Sequence, residues 1–301
     1  MRRTAVIDLG SNSFRLVVYE WEPSGEWRFA GDGLREPVRI SAGLDADGLL
    51  HADAVERAVA ATRRFAAYCR EKEIDDVIAV ATSAIRDAEN GRAVADRIHA
   101  ETGLEVTILS GEEEARYGYL AIVGSTSLAD GFGLDMGGGS IQPMRIGGGE
   151  LADATSLPLG AVRATERFLH EDEASTDALH SHVRSELARM GWWRGGGRLV
   201  AIGGNPRNLA TAERRRTGAA KADPFPLDRA ALRELVGELS ALPASRRGEV
   251  PGIKADRADV ILAAAVVLDA AMDAGGFDCV EVSRAGLREG VFFERLTSAR
   301  P

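Results

Sequence analysis

Val6-Ile7-Asp8-Leu9-Gly10-Ser11-Asn12-Ser13 and Gly133-Leu134-Asp135-Met136-Gly137-Gly138-Gly139-Ser140 share the pattern Asp-x-Gly-x-x-Ser, once in each half of the chain. In both, an apolar run of strand type ends at an aspartate, and small residues follow. A second strand-like run then leaves the turn. A repeated hairpin implies two lobes built alike, with their turns expected to face each other. The predicted boundary falls near residues 121–131. It divides the chain into 1–123 and 124–301, with a terminal helix at about 286–298 that can pack back on the first lobe.

Working outward, strand-like and helix-like segments alternate, which predicts an α/β fold. Strands are expected at 4–10, 14–20, 77–81, 106–109, 132–136 and 199–202. A helix is expected at 54–69, where Val55, Val59, Thr62, Phe65, Ala66 and Cys69 recur near the helical period. Asp53 and Glu56 have the spacing of a capping box for it. Further helices are expected from about residue 112, from near Arg207, and over the alanine-rich stretch 256–272. Residues 213–222 and 245–252, rich in Arg, Gly or Pro, read as mobile loops.

The 301 residues suffice for two domains with sizeable cores, and 45% hydrophobic with 28% charged residues is ordinary globular composition. A net charge of -9 argues against a nucleic-acid binder, which needs a basic face. No apolar run reaches membrane-spanning length, and Asp8 interrupts the first apolar run too early for a signal peptide. Cys69 and Cys279 form neither a disulfide framework nor a zinc site, so a reducing, cytoplasmic setting is expected.

The two turns are candidates for phosphate binding. Glycine lets backbone approach a ligand, and successive amides can hold an anion. Asp8 can hold a hydrated Mg²⁺, which takes one or two carboxylates plus phosphate oxygens. An ordinary hairpin with satisfied turn amides is the plain alternative. Ser110 and Glu113 have capping-box spacing. Glu114 shares a helix face with Tyr117, Gly118 and Ala121. It is either an inward carboxylate suited to general-base work or a third solvated acid at a helix start. Arg86 can grip phosphate or pair with Asp87 or Glu89. Gly203-Gly204-Asn205 can bind phosphate at a helix N-terminus, with Pro206 in the first turn. His180 and His182 suggest nothing, and no G-x-S-x-G elbow is present.

Taken together, Val6 to Leu16, Thr82 to Ala88, Ser110 to Ala115, Asp135 to Ser140, Arg257 to Ile261 and Ser283 to Gly290 resemble the ordered blocks of the exopolyphosphatase and guanosine pentaphosphate phosphohydrolase family. The resemblance spans nearly the whole chain and is closest to the short two-domain form, without an added C-terminal helical domain. It implies two actin-like (ribonuclease H-like) lobes with an interdomain cleft. It implies release of terminal phosphate from polyphosphate or guanosine pentaphosphate, with Mg²⁺ or Mn²⁺, and a homodimer. Glu114 matches the family's catalytic base, and Asp8 and Asp135 its metal carboxylates. Gly10, Asn12, Ser13, Gly137, Gly138, Gly139, Ser140 and Gly204 match phosphate-loop positions. Arg86 and Arg257 match phosphate-contacting arginines.

Three departures stand out. Gln142 occupies a position usually held by Glu, which is expected to weaken metal binding or water activation. Pro143 follows where a strand residue is usual, and is expected to shift the hairpin. Asn205-Pro206 replaces a threonine-type sequence. Two other readings stay open: a kinase-like phosphotransferase of the same superfamily, and a non-catalytic binder of polyphosphate or alarmones.

Overall fold

The computed structural model describes residues 1–74, 76–169 and 175–299. The chain divides into two units. The described residues within Met1–Ala121 and Leu287–Pro301 make one, and those within Ile122–Gly286 the other.

The first unit opens with β1 (Arg2–Leu9), β2 (Phe14–Trp21) and β3 (Trp27–Glu36). It continues through α1 (Leu44–Asp47), α2 (Ala52–Glu71), β4 (Asp76–Ala81), α3 (Ser83–Asp87), α4 (Gly91–Thr102), β5 (Val106–Ile108) and α5 (Gly111–Ser125). Its sheet has the order β3-β2-β1-β4-β5, antiparallel through the opening meander and parallel across β1-β4-β5.

Side chains alternate across a strand, so β1 feeds two cores. Ala5, Ile7 and Leu9 join Phe65 and Ala58 of α2 and Val94 and Ile98 of α4 on one face. Val6 joins Val17, Tyr19, Trp21 and Val80 on the other. That second face is covered by the chain's final helix, Leu287–Ser298, through Val291, Phe292 and Leu296. Tyr19 stacks on Phe292 at 4.2 Å between ring centroids. Burial on both faces explains why β1 reads as an unbroken apolar run up to Asp8.

The second unit holds β6 (Gly131–Met136), β7 (Ile141–Gly147), β8 (Glu150–Ala154), α6 (Ala161–Phe168), α7 (Thr176–Arg189), β9 (Leu199–Ile202) and α8 (Gly204–Thr217). It ends with β10 (Phe225–Asp228), α9 (Arg229–Ser240), α10 (Ile261–Gly275) and β11 (Cys279–Val282); the final helix, already described, is α11. The order β10-β11-β9-β6-β7-β8 contains the same run as the first sheet, with an antiparallel meander β6-β7-β8 beside parallel β9 and β11. Both units are therefore actin-like, ribonuclease H-like α/β lobes. Helix α10 is buried nearly all round, which its alanine-rich, apolar composition permits.

Several sequence expectations shift. Helix α2 starts at Ala52 behind an extended His51, so Asp53 lies in the first turn and closes no capping box. Residues 256–272 are not one helix: a 3-10 turn over Ala255–Arg257 precedes α10, because the apolar run begins only at Val260. Helix α8 starts at Gly204 rather than near Arg207, which keeps Pro206 in a first turn that needs no N–H donor. The stretch 213–222 is no loop at its start. It continues α8 to Thr217, where Arg216 bonds Glu213 and Glu234, and Gly218 then caps the helix in the left-handed region. Residues Ala244–Glu249 form a 3-10 turn. Pro143 leaves the β6/β7 register unbroken, opposite Leu134; the irregularity lies on the β8 side, between Arg145 and Ile146.

Candidate active site

In the first unit, Asp8 ends β1 on the same face as Val6, toward α11. That placement brings it to Arg288, whose Nη1 donates to Asp8 Oδ2 at 2.8 Å. Arg288 is 8% exposed, and its Nε is buried without a hydrogen-bond partner. Burial pushes the Asp8 carboxyl above its ordinary range, and the charge and hydrogen bond of Arg288 oppose it. Burial pulls on Arg288 in the opposite sense, yet Asp8 and Glu289 hold it above its usual value. Next along α11, Glu289 accepts from the Tyr19 hydroxyl at 2.8 Å.

The turn after Asp8 is held from outside. The Asn12 carbonyl accepts from Arg39 N at 2.9 Å, and the Ser11 carbonyl from both Ser41 N and Ser41 Oγ. Ser11 Oγ lies 3.1 Å from Ser83 Oγ at the start of α3. A Cβ on Gly10 would stand 3.3 Å from the Ser13 carbonyl, so the turn is closed tightly over that residue. Asn12 and Ser13 remain half-buried at its tip.

Helix α5 begins with the reciprocal capping box: Ser110 N donates to Glu113 Oε2 at 2.7 Å, and Glu113 N donates to Ser110 Oγ at 3.1 Å. Glu112 and Glu113 are exposed. Glu114 is 6% exposed, with Gly118 and Ala121 buried on its face, so the inward reading of the spacing describes the structure. Arg86 Nη1 donates to Glu114 Oε2 and, at 3.2 Å, to the Leu109 carbonyl; its Nε donates to Asp87 at 3.0 Å. Burial lowers the affinity of Arg86 for its proton, but Glu114 and Asp87 more than restore it. Of the two sequence alternatives for Arg86, the pairing with Asp87 describes the structure. Arg86 also holds the buried Glu114, leaving Nη2 outside these bonds.

In the second unit the turn from Asp135 to Ser140 is closed by Gly137 N donating to the Ser140 carbonyl at 3.0 Å. None of its three glycines lies in the left-handed region. The close approach is made at Gly160, where a Cβ would stand 2.4 Å from the Gly138 carbonyl and from Ser140 N. Helix α6 therefore starts directly against the turn. Its amides fill the turn's carbonyls, with Ala161 N donating to Gly137 at 3.2 Å and Val162 N to Gly138 at 2.7 Å. With the Gly137, Gly138 and Ser140 carbonyls occupied and Gly137 N used in closing the turn, the amides from Gly138 to Ser140 are the groups offered to an anion.

The Gly203-Gly204-Asn205 segment meets the same turn. Gly203, at φ 110°, packs on the Met136 carbonyl, where a Cβ would be 2.6 Å away and 3.1 Å from Asp135 Oδ1. The Arg257 guanidinium lies against Gly204 in space that a Cβ would fill. Its Nη1 donates to Asn205 Oδ1 at 2.6 Å, and Asn205 Nδ2 donates to the Gly137 carbonyl at 3.4 Å. Asp135, Gly137 to Ser140, Gly204 and Arg257 are thus brought together. Asn205, which the sequence marked as a departure, links the arginine to the turn.

Sequence reading missed Arg288, Gly160 and the linking role of Asn205. Arg288 and Gly160 contact residues far off in the chain, and no local spacing signals that. Asn205 had one available clue, its place at the start of a helix after two glycines.

A divalent cation suits part of this donor set. Asp135, 8% exposed beside the turn amides, can supply the one carboxylate that Mg²⁺ needs when phosphate oxygens and water fill its other positions. Asp8 could do so only by sharing its carboxylate with Arg288. Among the described residues, no group of three or more His, Cys, Asp or Glu side chains gathers as metal ligands do.

Two α/β lobes sharing one strand order, each with an acid-led small-residue turn, define a protein of the actin-like class. The chain belongs to the Ppx/GppA phosphatase family, whose pattern matches residues 33–299. It is 32% identical to Exopolyphosphatase 1 of Mycobacterium tuberculosis over 313 residues, covering 98% of this chain and 89% of that protein. The same-named protein of Mycobacterium leprae is 31% identical over 310 residues, covering 98% and 90%. The crystal structure of the Aquifex aeolicus Ppx/GppA family member superposes with a TM-score of 0.80 at 26% identity, over 99% of this chain and 98% of that one. An exopolyphosphatase from Cytophaga hutchinsonii shares the fold with a TM-score of 0.89 at 22% identity, over the full length of both. The chain is accordingly a phosphoanhydride hydrolase. Among the described residues, no helix is long and apolar enough to cross a membrane.

Proposed function

We propose that the chain is an exopolyphosphatase that removes the terminal phosphate of inorganic polyphosphate. The observation that carries this reading is Glu114, a carboxylate carried inward on the first turn of α5 and held by Arg86 while its two acidic neighbours stay in solvent. Exopolyphosphatase relatives at 32% identity support the substrate class.

In this reading the water oxygen attacks the terminal phosphorus in line, and the bond to the bridging oxygen breaks. Glu114 takes the water's proton. Orthophosphate leaves, with a chain one unit shorter. The capping box fixes the helix start, and Arg86 fixes the carboxylate that must meet the water. Within its own unit each turn, at Gly10, Asn12 and Ser13 or at Gly137 to Ser140, offers amides and hydroxyls to phosphoryl oxygens. Arg257, whose guanidinium lies against the start of α8, adds a fixed positive charge. Mg²⁺ or Mn²⁺ held by Asp135 would neutralise phosphoryl charge.

General-base assistance is worth about 10²–10⁴ in rate. Glu114→Gln should lose turnover to that extent in a metal-supplemented phosphate-release assay, with the fold retained by circular dichroism and the melting temperature lowered by loss of the Arg86 ion pair. Full activity in that variant would remove Glu114 from the role. The same assay run on polyphosphates of several lengths beside guanosine pentaphosphate decides the substrate. Faster release from the nucleotide would overturn the polyphosphate assignment.

A further inference from the structure

Gln142 lies on β7 two residues beyond Ser140, is 2% exposed, and faces Asp135 in the β6/β7 register. Its amide nitrogen carries two protons, and each has an acceptor: Ser140 Oγ at 2.9 Å and Ser156 Oγ at 2.9 Å. Ser156 is brought there because the segment after β8 returns to β7, where Leu157 and Ile141 exchange both backbone hydrogen bonds at 2.9 Å. Ser140 is itself 3% exposed, at the end of the turn.

A hydroxyl has one proton to give. Because Ser140 accepts from Gln142, its own proton remains available to an incoming acceptor. The nearby turn carbonyls are already supplied: Gly137 by α6 and Asn205, Gly138 by α6, and Ser140 by Gly137 N. A phosphoryl oxygen brought to the turn amides is an acceptor for that proton.

We propose that Gln142 is a positioning residue for phosphate binding, whose amide turns Ser140 into a hydrogen-bond donor toward the bound phosphoryl group. This rests on the reading of the turn as a phosphate cradle. A carboxylate at 142 would reverse the network. It would accept from Ser140 and Ser156, withdrawing the donor, and would set a second buried acid across the strand pair from Asp135. The neutral side chain that the sequence marks as a loss is thus a gain for anion binding.

The test uses tripolyphosphate with the full chain. Gln142→Met keeps length and removes both protons. It should raise KM about 10-fold, as loss of one charge-assisted bond does, with kcat held within a factor of about three. Ser140→Ala should do the same. The double variant should be no worse than Ser140→Ala alone, because both changes remove one interaction. A merely structural role would instead multiply the two effects and lower the melting temperature. Gln142→Glu, nearly isosteric, should raise KM further and carries the test if the Met variant fails to fold. The proposal is overturned if Gln142→Met leaves KM unchanged, if the two effects multiply, or if Gln142→Glu lowers KM. Calorimetric affinity for tripolyphosphate separates this from the functional reading. If wild type binds tripolyphosphate, loses affinity on Gln142→Met and yet releases no phosphate, the hydrolytic reading fails and the role of Gln142 stands. If wild type does not bind it, the cradle and this inference both fall.

Discussion

The two turns share one sequence pattern and are supported in opposite ways. In the first unit the acid is buried against a cation: Arg288 lies 2.8 Å from Asp8. The carbonyls of that turn are met by the 39–41 segment. In the second unit the acid has a neutral amide across the strand pair, Gln142, and a bare backbone neighbour, Gly203. Its carbonyls are met by the start of α6. A duplicated hairpin therefore does not imply duplicated chemistry. The first acid meets an arginine within its own unit, while the second is packed against Gly203 and faces the Gln142 amide.

The sharpest way to break this contrast is to remove the internal cation. Arg288→Met should destabilise the first unit by about 3 kcal/mol, because it leaves Asp8 buried without its partner. Hydrogen exchange of the β1 amides should rise accordingly, and Asp8→Asn added to Arg288→Met should recover part of the loss. Unchanged exchange in Arg288→Met would show that Asp8 does not depend on it.

Crowding the second turn tests its different support. Gly160→Ala forces a methyl into the Gly138 backbone and should cost about 1–3 kcal/mol, with phosphate release falling alongside. Wild-type stability and activity in that variant would mean that α6 does not hold the turn.

The smallest expected effect is the most specific. Asp135→Asn should raise the Mg²⁺ concentration needed for half-maximal activity at least about 10-fold. Asp8→Asn, whose acid already has a cation, should move it far less. Equal shifts from the two variants would erase the asymmetry.

Much of this organisation is local and so was legible in the sequence. An acid, a glycine and small hydroxyl residues within six positions describe a turn whatever surrounds it. The Ser110–Glu113 capping box follows from helical spacing alone, whereas spacing set Glu114 on one face with Tyr117, Gly118 and Ala121 without deciding that the face turns inward. What stayed hidden depends on distant partners. Arg288 meets a residue 280 positions away, and nothing near it announces that contact. Gly160 serves the turn only because the chain returns from β8. The split of 256–272 escaped because alanine favours helix before and after the polar residues Asp256, Arg257 and Asp259, where tertiary packing rather than propensity decides. Gln142 was visible as a departure, but its two hydroxyl partners were not.

The strap of residues 287–298 over the opening sheet bears on how the protein is made. A nascent chain that has released only its first 121 residues carries Val6, Val17, Tyr19 and Trp21 with no Val291, Phe292 or Leu296 to cover them. Asp8 likewise waits for Arg288. During synthesis that greasy face lacks its native cover until residues 287–298 have left the ribosome.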